Sequence, residues 1–164
     1  MRTVSGFAEI FSLLSKAKVD YIVVGSLSAV LRHVPIPSMD VQLVHSTEPD
    51  HVKRLLSVLE SIDAVYRMDN KRRPTLSDLS QRGRAELLMT KFGPLDLACT
   101  LGNDLTYSDL LTQTDEMELV DGLSVRILKL ENLIELMKEI DEEKDRAVLP
   151  ILRRTLDQIR KSAH

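Results

Sequence analysis

The feature that most constrains this chain is Tyr21-Ile22-Val23-Val24, four strand-favouring residues in a row that stop abruptly at Gly25-Ser26. A run with no polar alternation offers no face to water, so it predicts a strand buried on both sides. Leu27 to Arg32 then reads as a short helix following directly on the bend.

Around this strand the pattern predicts alternating helices and strands. Phe7, Ile10, Phe11, Leu14 and Ala17 recur at helical spacing, with Ser5 as a cap and an end near Lys18. Pro35 and Pro37 force an extended link into a second strand, Met39 to His45. A helix capped by Thr47, with Pro49 in its first turn, carries Val52, Leu55, Leu56, Leu59 and Ile62. Asp69 to Arg84 reads as a long polar loop, with one helical turn after Thr75. Strands follow at Glu86 to Lys91 and Leu95 to Leu101, around the turn Phe92-Gly93-Pro94. After a helix over Tyr107 to Leu111, Asp121-Gly122 joins Met117–Val120 to Leu123–Leu128 as a hairpin. The last third predicts two helices, Leu130 to Ile140 and about Lys144 to Ser162, with Pro150 in the first turns of the second or kinking it.

These 164 residues suit one domain with its own core, and Leu, Val, Ile and Met dominate the apolar set. A formal net charge of −3 gives no general pull toward nucleic acid or anionic membrane. Cys99, the single cysteine, rules out an internal disulfide or a cysteine-based zinc site and reads as a core residue. No signal-peptide pattern opens the sequence and no apolar run approaches a membrane span, so a cytoplasmic protein is expected.

Four local features could carry chemistry. Gly25-Ser26, between a buried strand and a helix, lets a phosphate approach backbone N–H groups; a glycine needed only for packing reads the same way. On the next strand Asp40 and Gln42 share a face while Val41 and Leu43 take the other. A carboxylate on an apolar strand must be solvated, paired or bound to metal. Asp96, in Leu95-Asp96-Leu97, is the second such carboxylate and could meet the same cation as Asp40 if the two strands are neighbours. Lys138, followed by Lys144-Asp145, offers a point charge for phosphate or simply a solvated helix face.

Together, Val23-Val24-Gly25-Ser26, Met39-Asp40-Val41-Gln42, Gly93-Pro94-Leu95-Asp96-Leu97 and Val125 to Lys138 with Lys144-Asp145 resemble the minimal nucleotidyltransferases of the polymerase-beta-like superfamily, which include nucleotidyltransferase-type toxins. The resemblance covers roughly Val19 to Leu156. It implies an α+β fold, a mixed sheet flanked by helices with C-terminal helices, as one domain over residues 1–164 with a core near 19–128 and a helical part near 129–162. It further implies transfer of a nucleoside monophosphate from a nucleoside triphosphate to an RNA or protein acceptor. Asp40 and Asp96 would be catalytic, and Asp40, Gln42 and Asp96 would hold Mg²⁺, with Mn²⁺ as a substitute. Gly25, Ser26 and Lys138 would bind the nucleotide.

The departures weigh against that chemistry. Gln42 stands where the family has its second Asp, which removes a full negative charge and leaves one neutral oxygen. Ile36 replaces a basic residue, the glycine expected near His33-Val34 is absent, and Glu142 replaces an arginine, while Ser38 keeps the small polar residue before Asp40. His45 is expected opposite Asp40, and His51 and His164 at the surface. Transfer activity is therefore expected to be weak or absent. The alternative is a non-catalytic nucleotide- or protein-binding pseudoenzyme in a toxin–antitoxin-like system. A nucleic-acid-binding module would rest only on Lys71-Arg72-Arg73 and the basic tail. The C-terminal helices pack either within the chain or as a homo-oligomer face.

Overall fold

The structure, a computed structural model, describes residues 2–38, 40–120 and 122–163. Along the chain its elements are α1 (Arg2–Lys16), β1 (Tyr21–Val24), α2 (Gly25–Val30), β2 (Val41–His45), α3 (Pro49–Ser61), β3 (Val65–Tyr66), α4 (Leu76–Leu79), β4 (Glu86–Thr90), β5 (Gly93–Ala98), β6 (Thr100–Leu101), β7 (Leu105–Thr106), α5 (Tyr107–Leu110), β8 (Thr114–Val120), β9 (Leu123–Leu128), α6 (Leu130–Ile140) and α7 (Glu143–Ser162). Seven strands form one mixed sheet in the order β3-β4-β5-β2-β1-β9-β8, and β6 pairs with β7 beside it. The doubly buried strand read from Tyr21–Val24 lies inside this sheet, antiparallel to β2 and parallel to β9.

Strand alternation sorts the side chains into two apolar layers. Val23, Val41, Leu43, Leu95, Leu97 and Ile127 face α1 and α3, where Phe11, Leu14, Leu55 and Leu59 close over them. Ile22, Val24, Val44 and Leu128 face the other way, against Leu133, Ile134 and Met137 of α6 and Leu152 of α7. The C-terminal helices thus pack within the chain as the second cover of the sheet. None of the described helices is long and apolar enough to cross a membrane.

Several local expectations are corrected. Helix α1 begins ahead of Ser5, so Ser5 is not at its start. Glu48, not Thr47, occupies the cap position of α3, without a side-chain cap. Leu95 to Leu101 divides into β5 and β6, because the chain leaves the large sheet after Ala98 to pair with β7. The polar stretch after Asp69 does contain one helical turn, α4. Thr75 and Asp78 cap it reciprocally, each side chain accepting from the other's backbone N–H. Strand β3, too short to show periodicity, was not foreseen. Pro150 lies inside α7, which continues on both sides of it. Met39, Asp121 and His164, named in the sequence reading, lie outside the described residues. Even so, β8 and β9 pair antiparallel as a hairpin should.

Candidate functional site

The strand register builds a row of residues across one face of the sheet. Val24 pairs with Gln42, Gln42 with Asp96, and Asp96 with Leu87. The backbone N–H of Arg67 donates to the Leu87 carbonyl at 3.0 Å, which places Arg67 at the far end of the row. Asp40, just ahead of β2, and the Gly25-Ser26 bend complete one border of the same cleft. Helices α6 and α7 roof the cleft with Leu133, Leu136, Met137, Ile140 and Val148, enclosing about 630 Å³. The two distant aspartates and the Gly-Ser bend are therefore neighbours in space.

Gly25 is needed at the bend for two reasons. Its φ of +67° lies in the left-handed region, and a Cβ there would run into the side-chain amide of Gln42. The Gln42 carbonyl oxygen is thus laid against the backbone of the bend. Ser26 Oγ donates to Ser38 Oγ at 3.3 Å, and Ser38 Oγ donates to the Asp40 carbonyl at 3.3 Å. This chain of hydroxyls ties the bend to the segment that delivers Asp40. Ser28 is buried and donates to the Gly25 carbonyl at 2.7 Å, which steadies the first turn of α2.

Asp96 does not stand free. Its carboxylate forms an ion pair with the guanidinium of Arg67, whose side chain is 27% exposed against 12% for Asp96. The facing atoms, Arg67 Nη2 and Asp96 Oδ1, are sealed from solvent. Sequence reasoning missed Arg67 because β3 is two residues long and nothing local marks its partner. Ile36, in the place of a basic residue, is buried and contributes apolar wall to the cleft.

Lys138 is corrected. It projects from the exposed side of α6, its Nζ 3.4 Å from Glu135, and it does not line the cleft. Helical spacing explains this: Leu133, Leu136, Met137 and Ile140 take the inner stripe and leave position 138 outside. Lys144, at the start of α7, does line the cleft and pairs with Glu142 at 3.3 Å. Asp145 lines it too, with its carboxyl pushed upward by burial and then by the Glu142 charge. Of the described lining residues, four carboxylates (Asp40, Asp96, Glu142, Asp145) face two cations, Arg67 and Lys144.

None of the described histidines lines the cleft. His45 is buried on the α1/α3 side, as expected from its parity with Val41 and Leu43. His51 is also buried, against expectation; its Nε2 accepts the Asp20 backbone N–H at 2.5 Å, so it ties α3 to the entry of β1. His33 is exposed and lies away from the row. Arg72, part of the basic triplet, stacks over Tyr66 and pairs with Asp78 at 2.9 Å. Cys99 is buried, its thiol raised by desolvation.

No family model matches this sequence, and no curated protein does at a significant level. Its shape does have counterparts. A candidate nucleotidyltransferase from Thermotoga maritima, TM1012, superposes with a TM-score of 0.59 at 16% identity, over 94% of this chain and 92% of that one. The antibiotic-resistance factor ANT(2'')-Ia superposes in its solution structure with a TM-score of 0.59 at 14% identity, over 93% and 83% of the two chains. Its crystal structure in complex with adenylyl-2''-tobramycin gives 0.62 at 12% identity, over 95% and 90%. At such identities the likeness concerns architecture, and nearly the whole chain takes part. The chain has the nucleotidyltransferase fold.

Proposed function

We propose that this protein is a nucleotidyltransferase-fold protein that keeps the nucleotide cleft while its transfer of nucleoside monophosphate is weak or lost. The observation that carries the reading is the Arg67–Asp96 ion pair, set beside Gln42 in one row of the sheet. Transfer with two divalent cations needs carboxylates that can bridge the ions, hold them ~4 Å apart and offset their charge. The donor set here is Asp40, a neutral Gln42 amide turned onto Gly25, and an Asp96 already neutralised by a guanidinium. Among the described residues no three His, Cys, Asp or Glu side chains converge as a metal site. As folded, these residues do not fit a Mg²⁺ or Mn²⁺ pair.

The rest of the cleft suits a bound nucleotide better than it suits chemistry. Its apolar roof from α6 and α7 offers a surface for a base, and the Gly25-Ser26 bend borders the same cleft. The solved neighbour bound to adenylyl-2''-tobramycin holds an adenylylated molecule, which supports a nucleotide as occupant here.

Incubation of the purified chain with each labelled nucleoside triphosphate, Mg²⁺ or Mn²⁺, and RNA or protein acceptors tests the reading. No transfer above the level of Asp96→Ala is expected, while at least one nucleotide raises the melting temperature by mass action. Label transfer that Asp96→Ala abolishes would overturn the loss of activity. An unmoved melting temperature with every nucleotide would overturn the retained cleft.

A further inference from the structure

The row that crosses the sheet carries two features that act in the same electrostatic direction. Gln42 removes a negative charge next to Asp96, and Arg67 adds a positive one on its other side. Converging carboxylates in a low-dielectric cleft repel one another and need a cation to hold them together. In this chain that cation is part of the protein. Arg67 leaves β3, crosses above Leu87 and meets Asp96 two strands away, a span of roughly 10 Å at ordinary strand spacing. Only a long side chain covers that distance.

We propose that Arg67 is a resident counter-cation: its guanidinium takes the place at Asp96 that a divalent ion would need. This makes the cleft independent of divalent metal, and removal of Arg67 exposes Asp96, with Asp40 beside it, as a divalent-cation site. The proposal rests on the reading of the cleft as a retained nucleotidyltransferase site and gives the physical reason for its lost chemistry. Three observations support it. The pair is largely desolvated, so a guanidinium that left would strand Asp96 as an uncompensated charge. Arg67 Nε and Nη2 and Asp96 Oδ1 are all sealed without a hydrogen-bond partner among the described residues, so charge, and not a bonding network, holds the guanidinium at Asp96. Finally, the ion pair of Asp96 is with Arg67, while Lys144, the other cation lining the cleft, is largely exposed and pairs with Glu142.

The test is binding of Mn²⁺ alone, read from the spectrum of free aqueous Mn²⁺ by electron paramagnetic resonance, with no nucleotide present. Arg67→Gln is expected to bind Mn²⁺ about tenfold or more tightly than the natural chain. Asp96→Asn in the Arg67→Gln background is expected to cancel the gain. Equal affinity in the natural chain and Arg67→Gln, or a gain that survives Asp96→Asn, would overturn the proposal. Arg67→Met, which keeps the apolar stem, serves if the glutamine variant does not fold. The natural chain supplies an independent measurement: Mn²⁺ is expected to leave its melting temperature unchanged, and a rise that Asp96→Asn removes would refute metal independence whatever the variants do. Label transfer by the natural chain would sink the reading of lost activity on its own, whereas the Mn²⁺ comparison judges Arg67.

Discussion

The two faces of the sheet handle polarity in opposite ways. Beneath α1 and α3 the layer is apolar and closed, with His45 and His51 buried in it and burial lowering the pKa of both; its buried carboxylate, Glu86, is paired with Arg84. Beneath α6 and α7 the apolar layer stops short of the row Arg67–Leu87–Asp96–Gln42, and the cleft keeps its charged groups, four of them in two ion pairs. The difference teaches where each face draws its stability. The closed face depends on packing and on keeping protons off its histidines. The open face gives up packing volume for a cleft and depends on ion pairing and on the tight bend at Gly25.

The largest expected effect is on the closed face. Leu43→Ala removes a fully buried side chain between β2 and the helices above it. It should cost roughly 2–5 kcal/mol in a denaturant titration. A loss under about 1 kcal/mol would mean that this layer is looser than its burial implies.

The second concerns protons. Burial lowers the His45 imidazole from 6.5 to about 4, opposed by its bond to the Ser46 carbonyl and reinforced by nearby His51. The folded state therefore favours the neutral ring. The resulting stability is complete above pH 6.5 and falls as the pH drops toward 4, because the unfolded chain takes up the proton first. It levels off below that, with a total loss of roughly 3 kcal/mol. Urea midpoints between pH 7 and pH 4 measure it, and His45→Gln should flatten the slope. Part remains, since His51 is shifted in the same direction. An unchanged slope in His45→Gln would place the acid sensitivity elsewhere.

On the open face, Gly25→Ala meets both a left-handed backbone and the Gln42 amide. It should cost about 1–2 kcal/mol from the backbone term alone. Gln42→Ala in the same chain should recover the steric part, and a double-mutant cycle separates the two. Additivity of the two substitutions would show that the amide does not rest on the bend. The smallest effect should come from Lys138→Ala, on the outer side of α6: a change within about 0.5 kcal/mol in stability, with no change in nucleotide-dependent melting. A lost nucleotide response would bring Lys138 back to the cleft.

Much of the architecture was legible because it rests on local periodicity. The unbroken Tyr21–Val24 run, the helix Leu130 to Ile140 and the helical turn after Thr75 are each formed by residues near one another in sequence. The same reasoning gave Gln42 one face and His45 the other, since alternation along a strand is a property of the strand alone. His51 misled for the complementary reason: its burial depends on what α3 lies upon, which a polar helix residue does not announce.

What sequence alone determined, then, is most of the elements, their apolar faces and the positions of Gln42 and Asp96 within strands, with Gly25 at the bend; the strand expected from Met39 begins at Val41, which leaves Asp40 just ahead of it. Which of these residues meet was decided only in three dimensions, by the pairing of β1, β2, β4 and β5. Tertiary structure also put Lys144 in the cleft and Lys138 outside it, and brought Arg67, in the turn after the two-residue β3, onto Asp96. The physical reason is that periodicity reports the environment each residue prefers, whereas the partner of a charge is set by strand order and register, which join segments far apart in the chain.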